Sequence, residues 1–152
     1  MSGQIGNIGN LPHLMRSLFI SCGNALRCDD GVAHRVLELL PAAAEREVRS
    51  VHQLTPELAA EMAGFDVVVF VDADAASLRP AVEPIGAWAP RSPLTHVTEP
   101  AEIVALARAL FGFTGEALMC RIPARDFRFD DDLSEVGIES AQMAADELRK
   151  SI

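Results

Sequence analysis

Asp29 and Asp30 stand side by side in the stretch CGNALRCDDGVAHRV, and a third carboxylate, Asp72, ends the apolar run of VVVFVDA. A loop histidine, His96, follows in PLTHVTEP. Adjacent carboxylates repel each other, and a helix start needs only one of them as its cap. A bound cation removes that repulsion. Asp30, Asp72 and His96 together offer two hard oxygens and one imidazole nitrogen. That donor set suits a divalent ion such as nickel, zinc or manganese, with coordination positions left over. A metal held in this way polarises a carbonyl or activates a water. Either Asp30 or Asp72 is then a candidate base, a role typically worth about 10²–10⁴-fold in rate. The plainer reading of the same residues is a helix cap, a solvated neighbour and a surface histidine.

Such a trio has to be gathered by the elements between its members. Ser17 to Cys22 is a short apolar run ending at Gly23, as expected of a buried strand. From Gly31 to about Glu47 the residues Val32, Val36, Leu37, Leu39 and Leu40 recur at helical spacing, and Pro41 kinks or ends that helix early. Glu47 to Leu54 reads as a second strand. Thr55 is placed to cap a helix with Pro56 in its first position and Gly64 at its end. Val67 to Val71, running into Asp72, is the clearest strand, and Val82 to Trp88 is a weaker one. Glu99 or Pro100 opens a helix that turns Ile103, Val104, Leu106, Ala107 and Leu110 inward and stops at Gly112. Ala117 to Ile122 is a fifth strand, and Ser134 caps a last helix running to about Lys150.

Strands that are continuously apolar, alternating with helices, predict a three-layer α/β sandwich. Its sheet is open and mostly parallel, with about five strands and helices on both faces. Residues 1–15 read as a flexible Gly/Asn-rich tail and residues 16–152 as a single domain. Right-handed crossovers set the ends of the first and third strands near each other. Ligand sites in such sheets form outside the carboxyl ends of the strands, which is where Asp29, Asp30 and Asp72 fall. The His96 loop follows the fourth strand.

Composition narrows the partners. The formal charge of −9 argues against a nucleic-acid backbone or an anionic membrane. Cys22, Cys28 and Cys120 form no CxxC pair and are odd in number, which fits packing residues in a reducing compartment. The opening MSGQIGNIGNLPHLMR lacks the basic and apolar regions of a secretory signal, so a cytoplasmic protein is expected. Gly23 is not part of a dinucleotide-type glycine fingerprint, and neither an HExxH helix nor a Ser–His–Asp pattern offers a rival hydrolytic mechanism. His13, His34 and His52 suggest no partner from sequence, and RDFRFDDDL reads as a charged loop.

CGNALRCDDGVA, then HQLTPELAAEMAGFDVVVFVDA with the strand-end Asp72 of VVFVDA, then LTHVTEPAEIVALARALFG, in that order, resemble the hydrogenase maturation proteases. These endopeptidases trim the C-terminus of nickel–iron hydrogenase large subunits. The resemblance runs from about Arg16 to the last helix, and it implies an α/β peptidase domain. It also implies that Asp30, Asp72 and His96 bind nickel already inserted in the substrate, with no organic cofactor, and that Asp30 and Asp72 are catalytic. The turn residues Gly23, Asn24 and Asp29 are then expected to contact the hydrogenase precursor. Two positions depart from the family pattern. Ser21 replaces the first glycine of the turn, and Ala33 replaces a common glycine after DDGV. Two other readings remain open at this point. One is a receiver-like phosphoacceptor domain with magnesium at the acidic cluster. The other is an inactive scaffold that docks a hydrogenase precursor.

Overall fold

The structure, a computed structural model, describes residues 14–23, 31–87, 98–124 and 133–151. Strands β1 (Ser17–Cys22), β2 (Arg46–Val51), β3 (Val67–Asp74), β4 (Ala81–Pro84) and β5 (Glu116–Pro123) make one sheet in the order β2-β1-β3-β5-β4. The first four in that order run parallel, and β4 lies antiparallel to β5 at the edge. Helices α1 (Val32–Leu39), α2 (Leu58–Met62), α3 (Pro100–Leu110) and α4 (Glu135–Ser151) complete the layers. The expected three-layer, mostly parallel sheet of five strands is what forms.

Alternation along the strands divides the core in two. Phe19, Val67, Val69, Val71, Leu118 and Cys120 face α1 and α4. Leu18, Ile20, Val68, Phe70, Ala117 and Met119 face α2 and α3. This is why the central strands lack the polar alternation of a half-exposed sheet. Each large side chain buried here contributes about 1.5–3 kcal/mol relative to exposure.

The helix ends depart from expectation for local reasons. Helix α1 stops at Leu39 because Leu40 precedes Pro41 and takes an extended conformation, φ −75° and ψ 139°, the region to which a following proline confines a residue. Helix α2 starts later than its Thr55–Pro56 signature suggests. Leu58 N donates to Thr55 O and Ala59 N to Pro56 O, so a tight turn comes first. The Thr55 hydroxyl is drawn to Glu57, whose own backbone N–H and that hydroxyl hold its carboxyl below the usual range.

Helix α3 turns Ile103, Val104 and Ala107 inward, but Leu106 is only half-buried and Leu110 is 70% exposed. The chain reverses at Gly112, φ 70°, and Phe113 fills the core in Leu110's place at 3% exposure. Two residues on, a Cβ at Gly115 would run into the Asp66 carbonyl, so the chain re-enters the sheet there without a side chain. The Ser134 cap of α4 is as expected, its Oγ accepting from Gly137 N at 3.0 Å.

Candidate active site

At the carboxyl edge of the sheet the register sets Cys22 beside Asp72 and Asp72 beside Arg121. The three share the face that carries Phe70 and Met119, the face covered by α2 and α3. The ends of β1 and β3 are therefore neighbours, as the crossover rule requires.

The three aspartates around β3 differ in what holds them. Asp66, at the amino edge, accepts from Arg16 N at 2.8 Å and steadies the chain entering β1. Asp74 accepts from Ala76 N at 2.9 Å and Ser77 Oγ at 2.6 Å, closing the turn after β3. Asp72, between them, is half-buried at the carboxyl edge, alongside the end of β1.

A cleft of about 500 Å³ opens on the same face, lined by Glu83, Ile85, Glu99, Pro100, Met119 and Arg121. Arg121 Nη1 lies 3.3 Å from Glu83 Oε2, with both side chains well exposed. An ion pair so exposed contributes at most about 1 kcal/mol, so Arg121 is not locked in place. The parallel register with β3 puts it next to Asp72.

Of the residues expected at the site, Gly23 and Asp72 are described, and Asn24, Asp29, Asp30 and His96 lie outside the described residues. Among the described residues no three His, Cys, Asp or Glu side chains gather into a metal cluster. Strand β4 is antiparallel, so its own end points away from the carboxyl edge. Helix α3, the next described element, opens on the cleft, with Pro100 and Ala101 lining it beside Arg121.

Two residues with no assigned part in the site meet at its base. Ser21, 0% exposed, places Oγ 2.7 Å from His34 Nδ1, and His34 Nε2 lies 2.7 Å from the Gly23 carbonyl. The sequence signal was Ser21 interrupting the apolar run LFISC, thirteen positions before a histidine in a helix's first turn. The Ser21 departure thus has a structural partner, and Ala33, fully buried in α1, is a small residue packed against the sheet.

The cysteine expectation can be placed in part. Cys120 is a fully buried free thiol in β5, and burial, with a smaller push from the Glu147 carboxylate, raises its pKa to about 12. A thiol that stays protonated is no nucleophile. Cys22 is half-buried with Sγ 3.9 Å from the His52 carbonyl oxygen, and Cys28 lies outside the described residues. Cys120→Ala should lower stability by about 1–3 kcal/mol, the cost of a small cavity, and leave activity in place. Urea unfolding beside a turnover assay would measure both, and lost turnover in a well-folded Cys120→Ala protein would return the thiol to the chemistry.

An open sheet in this order, with an aspartate at the end of β3, places the chain in the fold of the hydrogenase maturation proteases. Among solved structures it is similar to the hydrogenase maturating endopeptidase HybD from E. coli, with a TM-score of 0.68 and 18% identity over 90% of this chain and 94% of that one. It is similar too to the [NiFe] hydrogenase maturation protease HycI from Thermococcus kodakarensis KOD1, with a TM-score of 0.66 and 18% identity over 90% and 91% of the two chains. HybD from Thermococcus kodakarensis matches with a TM-score of 0.62 and 20% identity over 90% and 99%. No protein-family model matches the sequence, and no curated protein matches it. At these identities the likeness is one of fold, and it reaches the same group of proteins as the sequence motifs.

Proposed function

We propose that the protein is an endopeptidase that removes the C-terminal extension of a nickel–iron hydrogenase large-subunit precursor once nickel has been inserted. The observation that carries this reading is the half-buried Asp72 at the end of β3, alongside the end of β1, in a sheet with the topology of the maturation proteases. Nickel belongs to the substrate in this scheme. Asp30, Asp72 and His96 are the residues that would meet it, and two carboxylates with one imidazole fit a borderline divalent ion. Asp30 or Asp72 takes the proton from the attacking water, with Gly23, Asn24 and Asp29 contacting the precursor.

We assign the precursor's C-terminal segment to the cleft beside Arg121, the opening on this face of the sheet. No helix among the described residues is long and apolar enough to cross a membrane. With the acidic charge, that fits a cytoplasmic protein whose partner is the precursor rather than nucleic acid or lipid.

The receiver-like reading fares worse against the topology. Phosphoacceptor sheets of that type run 2-1-3-4-5. Here β5 occupies the position next to β3, and β4 is antiparallel outside it.

Incubating the protein with nickel-loaded precursor and weighing the precursor by mass spectrometry tests the proposal. The expected result is loss of one C-terminal peptide. A precursor that is bound but keeps its full mass would replace the peptidase with a docking scaffold.

A further inference from the structure

Ser21 and His34 stand at either end of the chain that links β1 to α1. A carbonyl oxygen only accepts, so the 2.7 Å contact between His34 Nε2 and Gly23 O puts the proton on Nε2. In the neutral ring Nδ1 is then an acceptor, to which the Ser21 hydroxyl 2.7 Å away donates. Ser21 Oγ also lies 3.0 Å from Ser50 Oγ on β2, hydroxyl to hydroxyl. One imidazole thus ties the end of β1 to the first turn of α1, and the Ser21 hydroxyl carries the link on to the neighbouring strand.

A serine hydrogen-bonded to a histidine invites a nucleophilic reading, which the geometry refuses. Ser21 has no exposed surface, so its oxygen cannot reach a peptide carbonyl. In hydrolytic triads the hydroxyl meets Nε2 and a carboxylate orients Nδ1. Here the hydroxyl meets Nδ1, and the far nitrogen is fixed on backbone. A buried hydroxyl is destabilising unless it is hydrogen-bonded, and Ser21 meets that condition through His34 and Ser50.

We propose that Ser21 and His34 are positioning residues, a brace that sets where the chain leaves β1 and where it enters α1. Asn24, Asp29 and Asp30 are strung between those two points, and β1 ends beside Asp72. The claim rests on the reaction proposed above for its catalytic consequence, but the brace itself does not depend on it.

The test compares Ser21→Ala, His34→Leu, the double variant and His34→Gln. Brief trypsin digestion read by mass spectrometry reports on the link without any hydrogenase, because Arg27 lies inside it while Arg35 and Arg49 lie in α1 and β2. Cutting at Arg27 should speed up about three- to tenfold in each single variant relative to Arg35 and Arg49, the scale of one lost hydrogen bond. With nickel-loaded precursor, kcat should fall about tenfold with KM held within about twofold, the pattern of misplaced groups. The double variant should be no worse than His34→Leu, because both changes break one link. His34→Gln keeps an N–H for Gly23 and should recover part of the loss.

Equal acceleration at Arg27, Arg35 and Arg49 would mean general loosening and would overturn the proposal. So would an unchanged Arg27 rate, or single variants that turn over like wild type. A wild-type protein that cuts no precursor defeats the peptidase reading instead, and the Arg27 ratio then decides on the brace alone.

Discussion

Asp72→Asn should bind nickel-loaded precursor and leave it uncut. Asparagine keeps the shape of the side chain but loses the negative charge and the capacity to accept a proton. Removing a general base typically costs about 10²–10⁴-fold in rate, and a lost charged ligand adds to that. The fold should persist, because Asp72 sits half-buried at the end of a strand and the packing of β3 comes from Val67 to Val71. Single-turnover cleavage beside a thermal melt measures both halves of this expectation. Wild-type cutting by Asp72→Asn would remove Asp72 from the chemistry, and with it the observation on which the proposed function rests.

Precursor without nickel should emerge from the same assay intact. The proposed ligands are two carboxylates and one imidazole at a solvent-facing edge, so affinity for free metal should be modest, and the purified protein should carry little nickel or zinc. Coordination would be completed only when the precursor brings its own ion. Cleavage would then wait for nickel insertion, which makes the metal a checkpoint rather than a resident cofactor. Metal analysis of the purified protein, set beside cleavage of loaded and unloaded precursor, decides the matter. An enzyme with stoichiometric zinc that cuts unloaded precursor quickly would be a conventional metalloprotease, and the checkpoint would be abandoned.

The layers of the fold were legible because they depend on local patterns. Val67 to Val71 could only be a strand buried on both faces, and Ser134 before an amphipathic run marked α4 accurately. The helix ends were less legible, since they turn on competition. Leu110 continues the apolar stripe of α3, yet Phe113 takes the core position once the chain reverses at Gly112. The direction of β4 was hidden because four residues with a proline carry no signal for parallel or antiparallel pairing.

At the site, Asp72 was readable from its place after an apolar strand. Arg121 and the Ser21–His34 pair were not. Arg121 meets Asp72 through the register of two strands far apart in sequence. His34 looks from sequence like any polar residue in a first helical turn, and only the fold brings it to Ser21 and the Gly23 carbonyl.

The place of β5 in the sheet also sets an order of assembly. It is the last of the described strands to be synthesised, yet it pairs with β3 on one side and β4 on the other. While the chain is being made, β1, β2 and β3 can associate, but β3 keeps an open edge and β4 waits without its partner until β5 arrives. Such long-range pairing is slow, and an open edge is exposed to association with other chains. Arg121 comes to lie beside Asp72 in that same late step, and the Ala141, Ala144 and Leu148 face of α4 closes over the sheet only afterwards. A ribosome-bound fragment ending before β5 would therefore hold Asp72 at a bare sheet edge, and the surroundings of that carboxylate are complete only once the last strand and helix have left the ribosome.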